Sequence, residues 1–152
     1  MAEYLKLSRL YLLLLAICVL GRFYLGNVRH VPYERATDKL SIVIMTLFAS
    51  LFYAAFCRRW LGFGLVRALA LAALLGLIAE VVILLSTAAS YALGIQSYFN
   101  YPLALQALPS DPPVPVAQAL LRRAGGLVAG PVTNAVMGAI GWVMGGLLPE
   151  RR

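Results

Sequence analysis

A single acidic residue interrupts the longest apolar stretch of the sequence. The residues from Ala68 to Gly94 include one charged side chain, Glu80, close to the middle of the run. A run of this length exceeds the ~20 apolar residues that cross a bilayer as a helix. A carboxyl group at the centre of such a helix costs about 2.5 kcal/mol or more, so it usually faces inward and is paired there.

Three roles for Glu80 are open on the sequence. It can hold helices or subunits together by hydrogen bonds, it can be a proton or cation site on a transport path, or it can belong to an intramembrane catalytic centre. The third role has the least support, because no second carboxyl group, metal-ligand cluster or nucleophile–base pair accompanies Glu80 in the sequence. We therefore predict no catalytic residues, no metal and no cofactor, and we expect a protein that is not an enzyme.

The composition defines the environment of this carboxyl group. Of 152 residues, 62% are hydrophobic and only 12% are charged. A soluble domain of this length cannot bury so much apolar surface, so we predict one integral membrane domain over residues 1–152. The net charge of +7 comes from basic residues that flank apolar segments, where they contact lipid headgroups. We therefore expect a lipid bilayer as a partner and no nucleic acid.

Four apolar segments are predicted to cross the membrane as helices, over residues ~4–25, ~40–57, ~66–94 and ~126–148. The first is interpreted as a membrane helix and not as a secretory signal, because Gly21-Arg22-Phe23 is no cleavage site. Residues 95–125 are too polar and rich in proline to cross, and we expect them at the interface. A short amphipathic helix is expected there, from Pro115 to about Arg123. The predicted fold is an all-α, polytopic four-helix bundle with this surface segment between its third and fourth helices.

Helical periodicity separates small and polar residues from bulky apolar ones. At about 100° per residue, one face of the second segment collects its polar side chains: Lys39, Thr46, Ser50, Tyr53 and Cys57. The face of the third segment that contains Glu80 collects small and polar residues: Gly62, Ala73, Gly76, Thr87, Tyr91 and Gly94. The opposite face is bulky: Leu71, Leu75, Ile78, Val82 and Leu85. One face of the fourth segment is rich in glycine: Gly130, Asn134, Gly138, Gly141 and Gly145.

These faces predict how the third and fourth helices meet. Small residues at this spacing let two helix backbones approach closely. If the helices are antiparallel, Glu80 and Asn134 differ in depth by only about 6 Å at 1.5 Å per residue. We therefore predict that Glu80 contacts Asn134 or Thr133. Arg22, near the end of the first segment, is either an anchor at the interface or part of the polar interior.

A polar bundle interior predicts a small transport or channel-type protein that acts as an oligomer. The candidate residues of its site are Glu80, Asn134, Thr133, Thr87, Tyr91, Thr46, Ser50, Tyr53 and Arg22. The predicted helix-packing residues are Gly76, Gly130, Gly138, Gly141 and Gly145. The alternative is a non-catalytic structural or accessory subunit that docks other membrane subunits through its glycine-rich fourth helix.

The distribution of basic residues gives an orientation. We predict a bacterial-type inner membrane. Both termini are expected in the cytoplasm, because this orientation places slightly more Lys and Arg inside. The outer side then contains six basic residues: Arg22, Arg29, Arg35, Lys39, Arg122 and Arg123.

Overall fold

The computed structural model describes residues 2–36, 40–108 and 112–147, and this part of the chain is helical without β-strands. The α-helices are α1 (Ala2–Leu7), α2 (Arg9–Phe23), α3 (Tyr33–Ala36), α4 (Ile42–Leu61), α5 (Leu65–Ala92), α6 (Val116–Ala124) and α7 (Gly126–Leu147). A π-helical segment, Tyr24–Val28, extends α2, and a 3-10 turn lies at Leu103–Leu105.

Four helical stretches are long and apolar enough to cross a membrane: Arg9–Val28, Ile42–Leu61, Leu65–Ala92 and Val116–Leu147. The prediction of an all-helical chain with four such segments is confirmed. The first and last segments differ in detail from the prediction. Ser8 separates α1 from α2, and Gly125 separates α6 from α7, so the expected surface helix leads almost directly into the fourth segment. Position 148, where that segment was predicted to end, lies outside the described residues.

Local sequence explains how α4 begins and ends. Ser41 is the N-cap of α4, and its Oγ accepts a hydrogen bond from the backbone N–H of Ile44 at 3.3 Å. At the other end, Gly62 adopts a left-handed backbone with φ of +64°, which glycine does at little cost. This turn reverses the chain so that α5 can pack back along α4.

The longest helix, α5, lies at the centre of the bundle and packs against both α4 and α7. Leu71 and Leu75 are fully buried, and so is Thr87, while Gly76 is also buried on the Glu80 side of the helix. The two faces predicted for the third segment are therefore both buried in part, whereas Leu85 of the bulky face is exposed.

The glycine face of α7 fits into the groove between α4 and α5. A Cβ atom on Gly138 would lie 2.5 Å from Ala72 Cβ, and one on Gly145 would lie 2.5 Å from the Ala55 carbonyl oxygen. A Cβ on Gly141 would overlap the backbone carbonyl of Leu51. Only glycine permits the observed helix separation at these positions.

The outer surface of the bundle is apolar. The exposed bulky side chains lie on the outer faces of all the long helices: Leu10, Leu13, Ile17, Leu20, Val43, Phe48, Phe52, Leu85, Val128, Val132, Val136 and Val143. In contrast, the polar residues Thr46 and Ser50 of α4 are buried in the interior. This pattern of apolar exterior and partly polar interior is compatible with a membrane environment.

Candidate functional site

Two arginine side chains from distant parts of the chain meet at one end of the bundle. Arg22 lies in the last turn of α2 and is only 8% exposed, and Arg123 lies in the last turn of α6. Both contact Phe99, Arg22 over its ring and Arg123 at its backbone carbonyl oxygen. Because like charges at short range oppose folding, this arrangement needs compensating contacts.

Backbone carbonyl groups supply some of these contacts. Arg22 donates from Nη1 to Leu40 O at 3.2 Å and from Nη2 to Tyr98 O at 3.4 Å. Arg123 donates from Nη2 to Phe99 O at 3.1 Å, and the Phe99 ring centre lies 5.2 Å from Arg22 Cζ in a cation–π contact. The Nε atoms of both arginines are buried and have no hydrogen-bond partner among the described residues.

The loop that contains Tyr98 and Phe99 is held by buried hydrogen bonds. The hydroxyl oxygens of Ser90 and Ser97 are 2.6 Å apart, and the Tyr98 hydroxyl donates to Val31 O at 2.7 Å. Burial raises the pKa of the Tyr98 phenol, so the hydroxyl stays protonated and remains a donor at neutral pH. The carbonyl groups that bind the two arginines are therefore fixed in position.

A cavity of about 110 Å³ lies between the two arginines and the N-terminus of α4, and we call it the arginine cavity. Its lining residues are Arg22, Tyr33, Ser41, Ile42, Val43, Ile83, Phe99 and Arg123. The N-terminus of a helix has a partial positive charge. The arginine cavity is therefore electropositive both from its side chains and from the backbone of α4.

The Glu80 side chain lies against the glycine surface at the start of α7. A Cβ atom on Gly130 would be 2.5 Å from Glu80 Cγ, and one on Gly126 would collide with the carboxylate. Arg123 attracts the Glu80 carboxylate, and Tyr11 of α2 is also within electrostatic range of it. The half-buried carboxylate accepts no hydrogen bond and forms no ion pair among the described residues.

The position of Glu80 relative to α7 differs from the predicted one. Along α5 it lies near the centre, roughly 22 Å from Leu65 and 18 Å from Ala92 at 1.5 Å per residue. Along α7, however, it lies beside the first turns, at Gly126 and Gly130. The 28-residue α5 is longer than the 22-residue α7 and continues past its start. Glu80 is therefore closer to the arginine end of the bundle than to its middle.

Asn134 contacts a different residue from the predicted one. Ser50 Oγ donates to Asn134 Oδ1 at 2.7 Å, and Asn134 Nδ2 donates to Gly130 O at 2.9 Å. The Asn134 side chain packs against Gly76, about one turn along α5 from Glu80. The expected contact between Glu80 and Asn134 is thus replaced by a polar link between α4 and α7.

The other predicted polar residues take part in separate contacts. The Tyr11 hydroxyl, in the core, lies 3.1 Å from Thr46 Oγ1 and donates to Leu75 O. Several hydroxyl groups donate to backbone carbonyls: Thr46 to Ile42, Thr87 to Ile83, Tyr91 to Val114 and Thr133 to Ala129. Tyr53 is buried beside Phe52, whereas Thr133 lies on the exposed side of α7. These residues do not join Glu80 in one polar cluster within the described part of the chain.

Sequence reasoning did not select Arg123, Ser41 or Phe99 as site residues. The sequence did contain one relevant signal, because Arg22 and Arg123 both belong to the basic residues predicted on the outer side. Their contact depends on the loop at Tyr98, which brings α6 back over the end of α2. That loop follows no regular periodicity, so its course could not be predicted.

No protein-family model, curated protein or solved structure matches the chain. Within residues 2–36, 40–108 and 112–147, no group of three or more His, Cys, Asp or Glu side chains is placed to hold a metal ion. The site offers one buried and one half-buried arginine, a helix N-terminus and a carboxylate that accepts no hydrogen bond from the described residues. Such groups can bind an anion and can take up or release a proton.

Proposed function

We propose that this chain is an integral membrane protein of transport or channel type, in which Glu80 binds a proton or a cation. The four apolar helices and the apolar exterior of the bundle support insertion in a bilayer. We place it in a bacterial-type inner membrane with both termini in the cytoplasm, on the distribution of its basic residues.

The environment of Glu80 is the observation that supports this function best. A carboxyl group that only holds helices together is expected to have hydrogen-bond partners, because an unpaired polar group in a membrane interior is costly. Glu80 has none among the described residues, and the positive charge that acts on it is that of Arg123 at the arginine end. A carboxylate that is only partly compensated can exchange a proton or bind a cation.

Passage across the membrane is proposed to need an oligomer. The core of the bundle is filled by large side chains, among them Tyr11, Leu71 and Leu75, each no more than 2% exposed. A path through the centre of one chain would have to displace them. A path between neighbouring copies of the chain would leave this packing intact, with Glu80 near its arginine end.

The alternative function, an accessory subunit that docks through the glycine face of α7, has less support. Gly138, Gly141 and Gly145 already pack against α4 and α5 of the same chain. A partner helix could reach these glycines only by displacing α4 or α5. We therefore favour the transport function.

Flux measurements on proteoliposomes test this proposal. Purified protein is reconstituted in vesicles that contain a pH-sensitive dye, and a potassium diffusion potential drives proton entry; parallel vesicles with a sodium-sensitive dye report cation entry. We expect flux with the wild type, no flux with Glu80→Gln, and unchanged flux with Glu34→Gln, which removes an exposed carboxylate of the short helix α3. Absence of both fluxes from vesicles with folded wild-type protein would refute a transport function. Equal flux in the wild type and Glu80→Gln would refute the role of Glu80.

A further inference from the structure

The arginine cavity combines positive groups that the described residues compensate only in part. In bonds to the described residues, Arg22 uses two of the five N–H donors of its guanidinium group, and Arg123 uses one. The Arg22 side chain is more than nine-tenths buried and lines the cavity, and its Nε has no partner among the described residues. Buried donors are normally satisfied, so the unpartnered Nε–H of Arg22 indicates a ligand.

The backbone at the start of α4 adds further donors. Ile42 and Val43 line the cavity, and the first N–H groups of a helix have no acceptor within it. Ser41 Oγ accepts from the Ile44 N–H, and Ser41 O accepts from Met45. The N–H groups of Ile42 and Val43 belong to this first turn, and the Ser41 hydroxyl can still donate its own proton.

Acidic side chains of the described residues do not neutralise this cavity. Glu80 lies one turn before Ile83 on α5 and does not line the cavity. Its carboxylate attracts Arg123 but forms no ion pair with it. Glu34 lies 3.4 Å from the Tyr101 hydroxyl, which donates to it. Two arginines therefore face a cavity whose described lining contains no carboxylate.

We infer that the arginine cavity binds one tetrahedral oxyanion, the phosphate group. A volume of about 110 Å³ is on the order of four water molecules, which admits a phosphate group but not a nucleotide. Two guanidinium groups and a helix N-terminus are the donors that proteins use for phosphate. The phosphate belongs either to a lipid headgroup or to a free inorganic ion, and the site does not depend on the proposed transport function.

Two measurements on the purified full-length protein test this inference and separate the two sources. Calorimetric titration of delipidated protein in a neutral detergent with inorganic phosphate detects a free ion. Native mass spectrometry of mildly purified protein, with phosphorus analysis, detects retained phospholipid. We expect Arg22→Gln and Arg123→Gln each to reduce phosphate affinity or lipid retention at least tenfold, because each removes a charge-assisted contact. Arg29→Gln, which removes an exposed arginine outside the cavity lining, should leave both unchanged.

The outcomes separate the two sources of phosphate and also decide whether the cavity binds phosphate at all. Phosphate binding that depends on Arg22 and Arg123 supports a free ion, and one retained phospholipid per chain, lost in both variants, supports a lipid headgroup. Failure of folded wild-type protein to bind either would overturn the inference, and so would equal losses in the Arg29→Gln control. Because a glutamine variant can misfold, Arg22→Lys and Arg123→Lys are measured as well. They keep the charge but lose the planar donor geometry, and full binding in both would also contradict the site.

Discussion

Replacement of Gly141 by alanine tests the close contact between α7 and α4. The added Cβ would lie 2.8 Å from the Leu51 carbonyl carbon and closer still to its oxygen, whereas ordinary contacts begin near 3.4 Å. Because the obstacle is backbone and cannot rotate away, the two helices must separate by about 1 Å. Overpacking of this kind costs about 1–3 kcal/mol. Alanine regains up to about 1 kcal/mol of helix propensity, so we expect a net loss of up to about 2 kcal/mol.

The assay is unfolding of the detergent-solubilised protein by sodium dodecyl sulfate, followed by tryptophan fluorescence. Gly125→Ala is the matched control, because its Cβ would meet the nearest atom, Arg122 O, at an ordinary 3.7 Å and its backbone is already helical. The control should be as stable as the wild type or slightly more stable. If Gly141→Ala and Gly125→Ala had the same free energy of unfolding, the close contact of α7 with the Leu51 backbone of α4 would be wrong.

Two further variants test polar contacts away from Glu80. Ser50→Ala removes the donor to Asn134 and leaves a buried amide oxygen unpaired, so we expect a loss of about 1–3 kcal/mol, and unchanged unfolding would contradict the contact. Burial raises the pKa of Tyr98, so the protonated phenol stabilises the folded protein fully below the ordinary tyrosine pKa, about 10. This stabilisation is lost as the pH rises through the higher pKa of the folded state. The melting temperatures of wild type and Tyr98→Phe should therefore converge in alkaline detergent solution, and a constant difference would refute this assignment.

The sequence predicts much of the fold because its helices have strong local signals. The run around Glu80 contains one charge and is long enough to fix a helix, and the spacing of Gly138, Gly141 and Gly145 predicts a face for close approach. The position of Glu80 relative to α7 could not be predicted in the same way. It depends on how far α5 continues past Gly126, and no count of residues within a single helix gives that offset.

The candidate site was harder to predict than the helices. Arg22 and Arg123 are about one hundred residues apart in the sequence, and they meet because the loop at Tyr98 and Phe99 offers carbonyl groups to both. Hydrogen bonds to backbone carbonyls leave no trace in residue types, since every residue has a carbonyl group. The sequence therefore indicates a basic end of the bundle but not the cavity within it.

The claim that Glu80 is an exchangeable carboxyl group on a transport path is tested most directly by chemical modification. A hydrophobic carbodiimide reacts with protonated carboxyl groups in apolar surroundings, and mass spectrometry of the digested protein measures the labelled fraction of Glu80 in the same vesicles that are used for flux. We predict that Glu80 is labelled, that labelling falls as the pH rises, and that flux decreases in proportion to the labelled fraction. Full flux through protein with completely labelled Glu80, or no labelling of Glu80 at any pH, would contradict the proposed function.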